Sequence, residues 1–129
     1  MKEKDYSMYP TTRLERYRQN SAIRNLVSEN HLLKSDFILP IFINEALTKK
    51  KAIKSLPDVY QHTPESVVRE AKEAMNLGIK AILLFGIPEK KDTKGSQAYL
   101  KNGVIQKAIR AIKKVCPELI VIADCCLCE

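Results

Sequence analysis

Glycine is scarce in this 129-residue chain: it has four, beside six prolines and no tryptophan. That scarcity excludes a collagen-like or low-complexity chain. With 45% hydrophobic and 29% charged residues, a disordered chain is excluded as well. Long apolar runs are also missing. Runs such as Ala81–Phe85 are strand-sized, far short of the roughly 20 residues a membrane span needs, so no membrane partner is expected. The opening Met1–Tyr6 has no apolar stretch, which argues against a secretory signal and for a cytoplasmic location. Gly86, Gly95 and Gly103 form no phosphate-binding fingerprint, which weakens a nucleotide reading. The length suits one domain with a real core.

Net charge is +7, and a basic balance raises the question of an anionic partner. The lysines do not make one stripe. Lys49, Lys50 and Lys51 sit in one loop, Lys90 and Lys91 in another, and Lys113 and Lys114 on a helix face. No aromatic side chains are interleaved with them as stacking platforms. They read as solvated surface, so no nucleic-acid partner is expected, while anionic small molecules stay open.

The organisation is read from apolar period. Residues 1–20 carry mixed charge and three tyrosines without period and read as an arm; a domain follows over 21–129. Helical spacing of Ile23, Leu26 and Val27 predicts a short helix from about Ser21 to Asn30. Phe37–Ile43 reads as a buried strand, with Pro40 requiring a bulge or a sheet edge. A loop is expected from Asn44 to His62, with a turn at Leu56-Pro57-Asp58. Thr63-Pro64-Glu65 is a helix start, Val67, Val68, Ala71, Ala74 and Met75 form the stripe, and Gly78 is the expected cap. Ile79–Phe85 is a second buried strand ending at Gly86, and 87–102 is a polar loop. Val104–Val115 is the most regular helix, stopped by Pro117, and Leu119–Ala123 is a third buried strand.

Strand, helix, strand, helix, strand, with unbroken apolar strands, is the pattern of a parallel sheet covered by helices. Two α/β folds fit: an open doubly wound sheet, or the opening of a (β/α)8 barrel. Both place chemistry at the carboxyl ends of strands. The third strand is followed by no helix, so the topology reads as unfinished.

The chemistry is expected at Asp124–Glu129, immediately after the third strand. Three of the four cysteines, Cys125, Cys126 and Cys128, fall there. Soft, anionic thiolates suit Zn²⁺ in sites of three or four ligands. Cys126 and Cys128 share one side of an extended segment, and Cys125 points away by alternation. Cys116 reads as core. Asp124 is open between a base, a metal partner and a structural carboxylate. His31 and His62, each alone, read as surface or cap residues.

These stretches resemble the N-terminal part of porphobilinogen synthases, also called 5-aminolevulinic acid dehydratases. The likeness lies in Asp36–Ile43, Ile53–Pro57, Leu84–Pro88, Lys91–Ser96, Ala108–Lys113 and above all Ile122–Glu129, with its Asp-x-Cys-x-Cys order; Arg13–Arg18 resembles the family's arginine-rich arm. The resemblance implies a (β/α)8 TIM barrel, of which this chain carries about three strands. It implies an enzyme that condenses two molecules of 5-aminolevulinate to porphobilinogen with loss of water, in heme and other tetrapyrrole synthesis. It implies that Cys126 and Cys128 are two of three thiolate ligands of an active-site zinc, the third lying further on, and that Asp124 is an active-site aspartate. It allows Mg²⁺ elsewhere in the full-length enzyme and implies homo-octamers joined by the arm. The family's two Schiff-base lysines lie outside the matched region, so Lys80, Lys91 and Lys94 are not those lysines and the segment alone is expected to be inactive. Asp58 stands where many members have glycine. A different reading of the cysteines is a small non-enzymatic α/β module that holds a soft metal.

Overall fold

A computed structural model of the protein describes residues 15–125. The chain divides into two compact units, Met1–Leu32 and Leu33–Glu129. In the first, a 3-10 turn (Glu15–Arg18) precedes α1 (Ser21–Leu26). Asn20 caps α1, its side-chain oxygen accepting the Ile23 N–H at 2.9 Å. The helix ends at Leu26 and not at Asn30. Beyond it the Ser28 hydroxyl donates to the Asn30 carbonyl at 2.8 Å, a local bond that competes with helix.

The second unit holds β1 (Ile38–Asn44), β2 (Lys51–Ala52), β3 (Tyr60–His62), α2 (Ser66–Asn76), β4 (Ala81–Ile87), α3 (Val104–Val115) and β5 (Ile120–Ala123). The strands form one sheet in the order β2-β3-β1-β4-β5. β3, β1, β4 and β5 run parallel, and β2 is antiparallel to β3. The three apolar runs thus become neighbouring parallel strands in chain order. The stretch 44–62, expected as a loop, instead carries the β2–β3 hairpin at one edge.

β1 pairs with β4 residue for residue from Ile38↔Ala81 to Asn44↔Ile87, so Pro40 makes no bulge. β3 reaches β1 only at Phe42 and Ile43, which leaves Pro40 on a stretch of β1 that is a sheet edge. The hairpin is closed by Ile53 N–H to the Val59 carbonyl at 2.9 Å. Its turn holds Asp58 at φ 61°, the left-handed region that favours glycine and that Asp tolerates better than most residues. Asp58→Val is therefore expected to cost about 1–2 kcal/mol, read as a lower urea midpoint, while Asp58→Gly stays within about 0.5 kcal/mol of the starting value.

α2 begins as its sequence foretells. Thr63 Oγ1 accepts the Ser66 N–H at 3.0 Å, and Ser66 Oγ accepts the Thr63 N–H at 2.9 Å, a reciprocal cap. It ends in a Schellman motif: Ile79 N–H to the Ala74 carbonyl, Gly78 N–H to that of Met75, and Gly78 at φ 95°. This motif takes up Gly78 and Ile79, so β4 starts at Ala81, two residues later than expected. It then continues through Gly86 to Ile87, because β1 runs alongside to Asn44. α3 ends at Val115, two residues before Pro117, and Lys113 Nζ satisfies the carbonyls of Pro117 and Leu119 at 3.0 and 2.6 Å.

The two helices pack on one face of the sheet. Val67, Ala71 and Ala74 of α2 and Val104, Ala108 and Ile112 of α3 meet Ile41, Ile43, Ile82 and Leu84 in one core, with Cys116 and Leu119 at its end. Cys116 is fully buried, as a core residue should be. The opposite face is also apolar but carries no covering layer among the described residues. By alternation it presents Ile38, Phe42, Leu83, Phe85, Ile120 and Ile122. Ile38 is 52% exposed and Ile120 57%, and the rings of Phe42 and Phe85 stack with centroids 5.2 Å apart.

Candidate functional site

The carboxyl ends of β1, β4 and β5 lie side by side. Asp124 follows β5, and its N–H donates to the Leu84 carbonyl at 3.2 Å, so the parallel ladder continues one residue past Ala123. Alternation from Ile120 and Ile122 places Asp124 on the uncovered face, and Cys125 on the helix-covered one. Both residues are exposed, and Cys125 is a free thiol. Cys126 and Cys128 lie outside the described residues. Among the described residues no group of three or more His, Cys, Asp or Glu side chains converges on a metal position.

Behind the end of β5, a cavity of about 310 Å³ opens between the β4–α3 loop and the first turn of α3. Gly86, Val104 and Ile105 form its apolar floor, and Lys91, Asp124 and Cys125 reach its rim. The loop that roofs it, expected from its polarity, is tied internally. The Asp92 carboxylate accepts the N–H groups of Lys94 and Ser96, both at 3.0 Å. The bond from Ser96 is the main reason that its carboxyl lies below the usual range. The Gln106 amide donates to the Ala98 carbonyl at 3.0 Å, fixing the loop to α3. At the end of β1, the Asn44 amide donates to Gln61 Oε1 at 3.0 Å and its oxygen accepts the Ala46 N–H at 3.0 Å.

His62, expected at the surface or as a cap, is buried at the end of β3, 5% exposed. Its Nδ1 lies 3.4 Å from Ser66 Oγ and its Nε2 3.9 Å from the Glu70 carboxylate. Burial lowers its pKa. Glu70 works in the opposite direction, Lys50 and Arg69 push the same way as burial, and the net shift is downward. The unfolded chain, with a histidine near 6.5, therefore takes up the proton first. The stability that neutral His62 contributes is complete above about pH 6.5 and is lost as the pH falls through its lower folded-state value. The urea midpoint of the full-length protein should drop on acidification from about pH 7 to pH 5, and His62→Leu should flatten that drop; an unchanged slope contradicts the assignment. The hairpin and this histidine escaped the sequence reading because Tyr60-Gln61-His62 has no apolar run. The signal that was there is Val59-Tyr60, two strand-favouring residues directly after a turn.

Comparison with known proteins places this geometry. Residues 11–129 match the family model described as ALAD, delta-aminolevulinic acid dehydratase. The chain is 45% identical over 121 residues to the delta-aminolevulinic acid dehydratase of Methanothermus sociabilis, covering 94% of this chain and 38% of the relative. It is 48% identical to that of Synechocystis, covering 95% of this chain and 37% of the relative. To the Bacillus subtilis protein it is 48% identical, with coverage of 91% and 36%. The chain thus spans little more than a third of the length of these relatives. Among solved structures it superposes, with a TM-score of 0.83 and 32% identity, on delta-aminolevulinic acid dehydratase (porphobilinogen synthase) from Toxoplasma gondii in complex with the reaction product porphobilinogen, covering 90% of this chain and 33% of that one. The α/β architecture is the opening part of a (β/α)8 barrel, and the uncovered apolar face is the side that such a barrel encloses. The chain belongs to the delta-aminolevulinic acid dehydratase family.

Proposed function

We propose that the chain is the opening third of a porphobilinogen synthase, a hydro-lyase that condenses two molecules of 5-aminolevulinate to porphobilinogen in tetrapyrrole and heme synthesis. The observation that carries this reading is the position of Asp124. It follows a barrel strand at its carboxyl end, on the enclosed face, where barrel enzymes keep their chemistry. Cys126 and Cys128, in the Asp-x-Cys-x-Cys order that follows the strand, are its proposed thiolate partners. Two thiolates beside a carboxylate are a donor set suited to Zn²⁺, with a third thiolate from further along the full-length chain. Bound there, zinc supplies Lewis-acid polarisation of the second substrate molecule. Asp124 offers a hydrogen-bond acceptor at the mouth, which orients a substrate ammonium group. The enclosed apolar face, with Phe42 and Phe85 stacked below the mouth, keeps water from the reacting atoms.

The full-length enzyme is cytoplasmic in this reading, leaves room for Mg²⁺ elsewhere, and forms homo-octamers through an N-terminal arm over residues 1–20. No described helix is long and apolar enough to cross a membrane. The deciding experiment follows porphobilinogen formation from 5-aminolevulinate. The full-length protein should form it, Asp124→Ala should lose most of the rate, and residues 1–129 alone should form none. Turnover by the separate segment, or none by the full-length protein, sinks the reading.

A further inference from the structure

Side chains of α3 from Gln106 to Arg110 anchor both loops that rim the carboxyl end of the sheet. Lys107 Nζ holds the Glu45 carboxylate, directly after β1, at 3.1 Å. Gln106 holds the Ala98 carbonyl at 3.0 Å, and the Arg110 guanidinium holds the Lys101 carbonyl and Asn102 Oδ1 at 3.1 and 3.0 Å. Where these loops stand is therefore tied to how deeply α3 seats on β4.

Gly86 sets that depth. It lies within β4, buried, between Phe85 and Ile87. Its backbone is not in the left-handed region, so no dihedral angle demands glycine there. Space demands it. A Cβ at this position would lie 2.7 Å from Ile105 Cγ1, 2.9 Å from Ile105 Cδ1 and 2.9 Å from Val104 Cγ1. Carbon atoms in contact sit about 3.5–4.0 Å apart, so a methyl group there forces the Ile105 and Val104 side chains to give way; both are β-branched and stiff in a helix, which passes the strain to the first turn of α3.

We propose that Gly86 is a positioning residue of the active site. By carrying no side chain it lets Val104 and Ile105 seat against β4, and so holds the loops at 45–50 and 88–102 at the distance from the barrel mouth that substrate binding needs. This rests on the function proposed above. A misplacement of about 1 Å costs of order 100-fold in a well-oriented site.

The test is steady-state kinetics of the full-length enzyme with 5-aminolevulinate. Gly86→Ala should lower kcat/KM at least about tenfold, with most of the loss in KM. In an Ile105→Ala background, where the nearer of the two side chains that meet the methyl group is cut back and only the Val104 contact is left, the same substitution should cost clearly less than in the unaltered background. A purely structural role for Gly86 lowers the active fraction, hence kcat, and leaves KM alone. An unchanged KM, or an equal cost in both backgrounds, overturns the proposal. Should Gly86→Ala fail to fold, Ile105→Phe presses the same gap from the helix side with β4 intact, and an unmoved KM there is equally fatal. If the unaltered enzyme forms no porphobilinogen, the functional reading fails by itself; the positioning claim is then read from amide exchange over 88–102, which Gly86→Ala should accelerate and which an unchanged rate refutes.

Discussion

Replacing Cys126 or Cys128 by alanine in the full-length enzyme should each lower zinc affinity and porphobilinogen formation by about 100-fold or more, since even outer-shell changes cost 10–100-fold at metal sites. Cys125→Ala should leave both near the starting value. The asymmetry comes from strand alternation. Asp124 still belongs to the ladder through its bond to Leu84 and shares the enclosed face with Ile120 and Ile122, and the same alternation is proposed to extend to Cys126 and Cys128. Cys125 faces the other way, over the apolar floor made by Val104 and Ile105. Zinc content by elemental analysis, alongside rates, checks the assignment. Equal losses at all three cysteines would show that the segment leaves the extended form directly after Asp124.

Produced as a separate polypeptide, residues 1–129 should aggregate and show no cooperative thermal transition. The helices cover one face only. On the other, Ile38 is 52% exposed, Ile120 57% and Ile122 37%. Burying one large apolar side chain is worth about 1.5–3 kcal/mol, and a domain has only about 5–15 kcal/mol of net stability. A few such side chains left in water are enough to remove it. β5 adds an open edge of apolar residues, a template for pairing with other chains. A monomeric species with a sharp melting transition would contradict this, and would revive the self-contained metal-binding module.

What the sequence disclosed, and what it did not, follows from the kind of signal each element carries. β1, β4 and β5 were legible because strands buried on both faces need unbroken apolar runs. The ends of α2 were legible because Thr63 and Gly78 do local work, through hydrogen bonds within a few residues of themselves; the reciprocal bond to Ser66 emerged only in the structure. The β2–β3 hairpin was not, since Lys51-Ala52 and Tyr60–His62 owe their pairing to each other and to Phe42 and Ile43, which are distant in sequence. The burial of His62 depended on that missed strand. Gly86 read as the end of a strand, while its space requirement comes from Ile105, nineteen residues on, and only packing reveals it. Of the site residues, Asp124 follows β5 at its carboxyl end, and Cys126 and Cys128 lie outside the described residues.

The most direct measurement is porphobilinogen formation by the full-length enzyme before chelation, after chelation, and after Zn²⁺ is restored. Turnover that disappears with the metal and returns with zinc is the expected result. No porphobilinogen at any metal loading, or turnover indifferent to chelation, would contradict a zinc-dependent condensation at the end of β5.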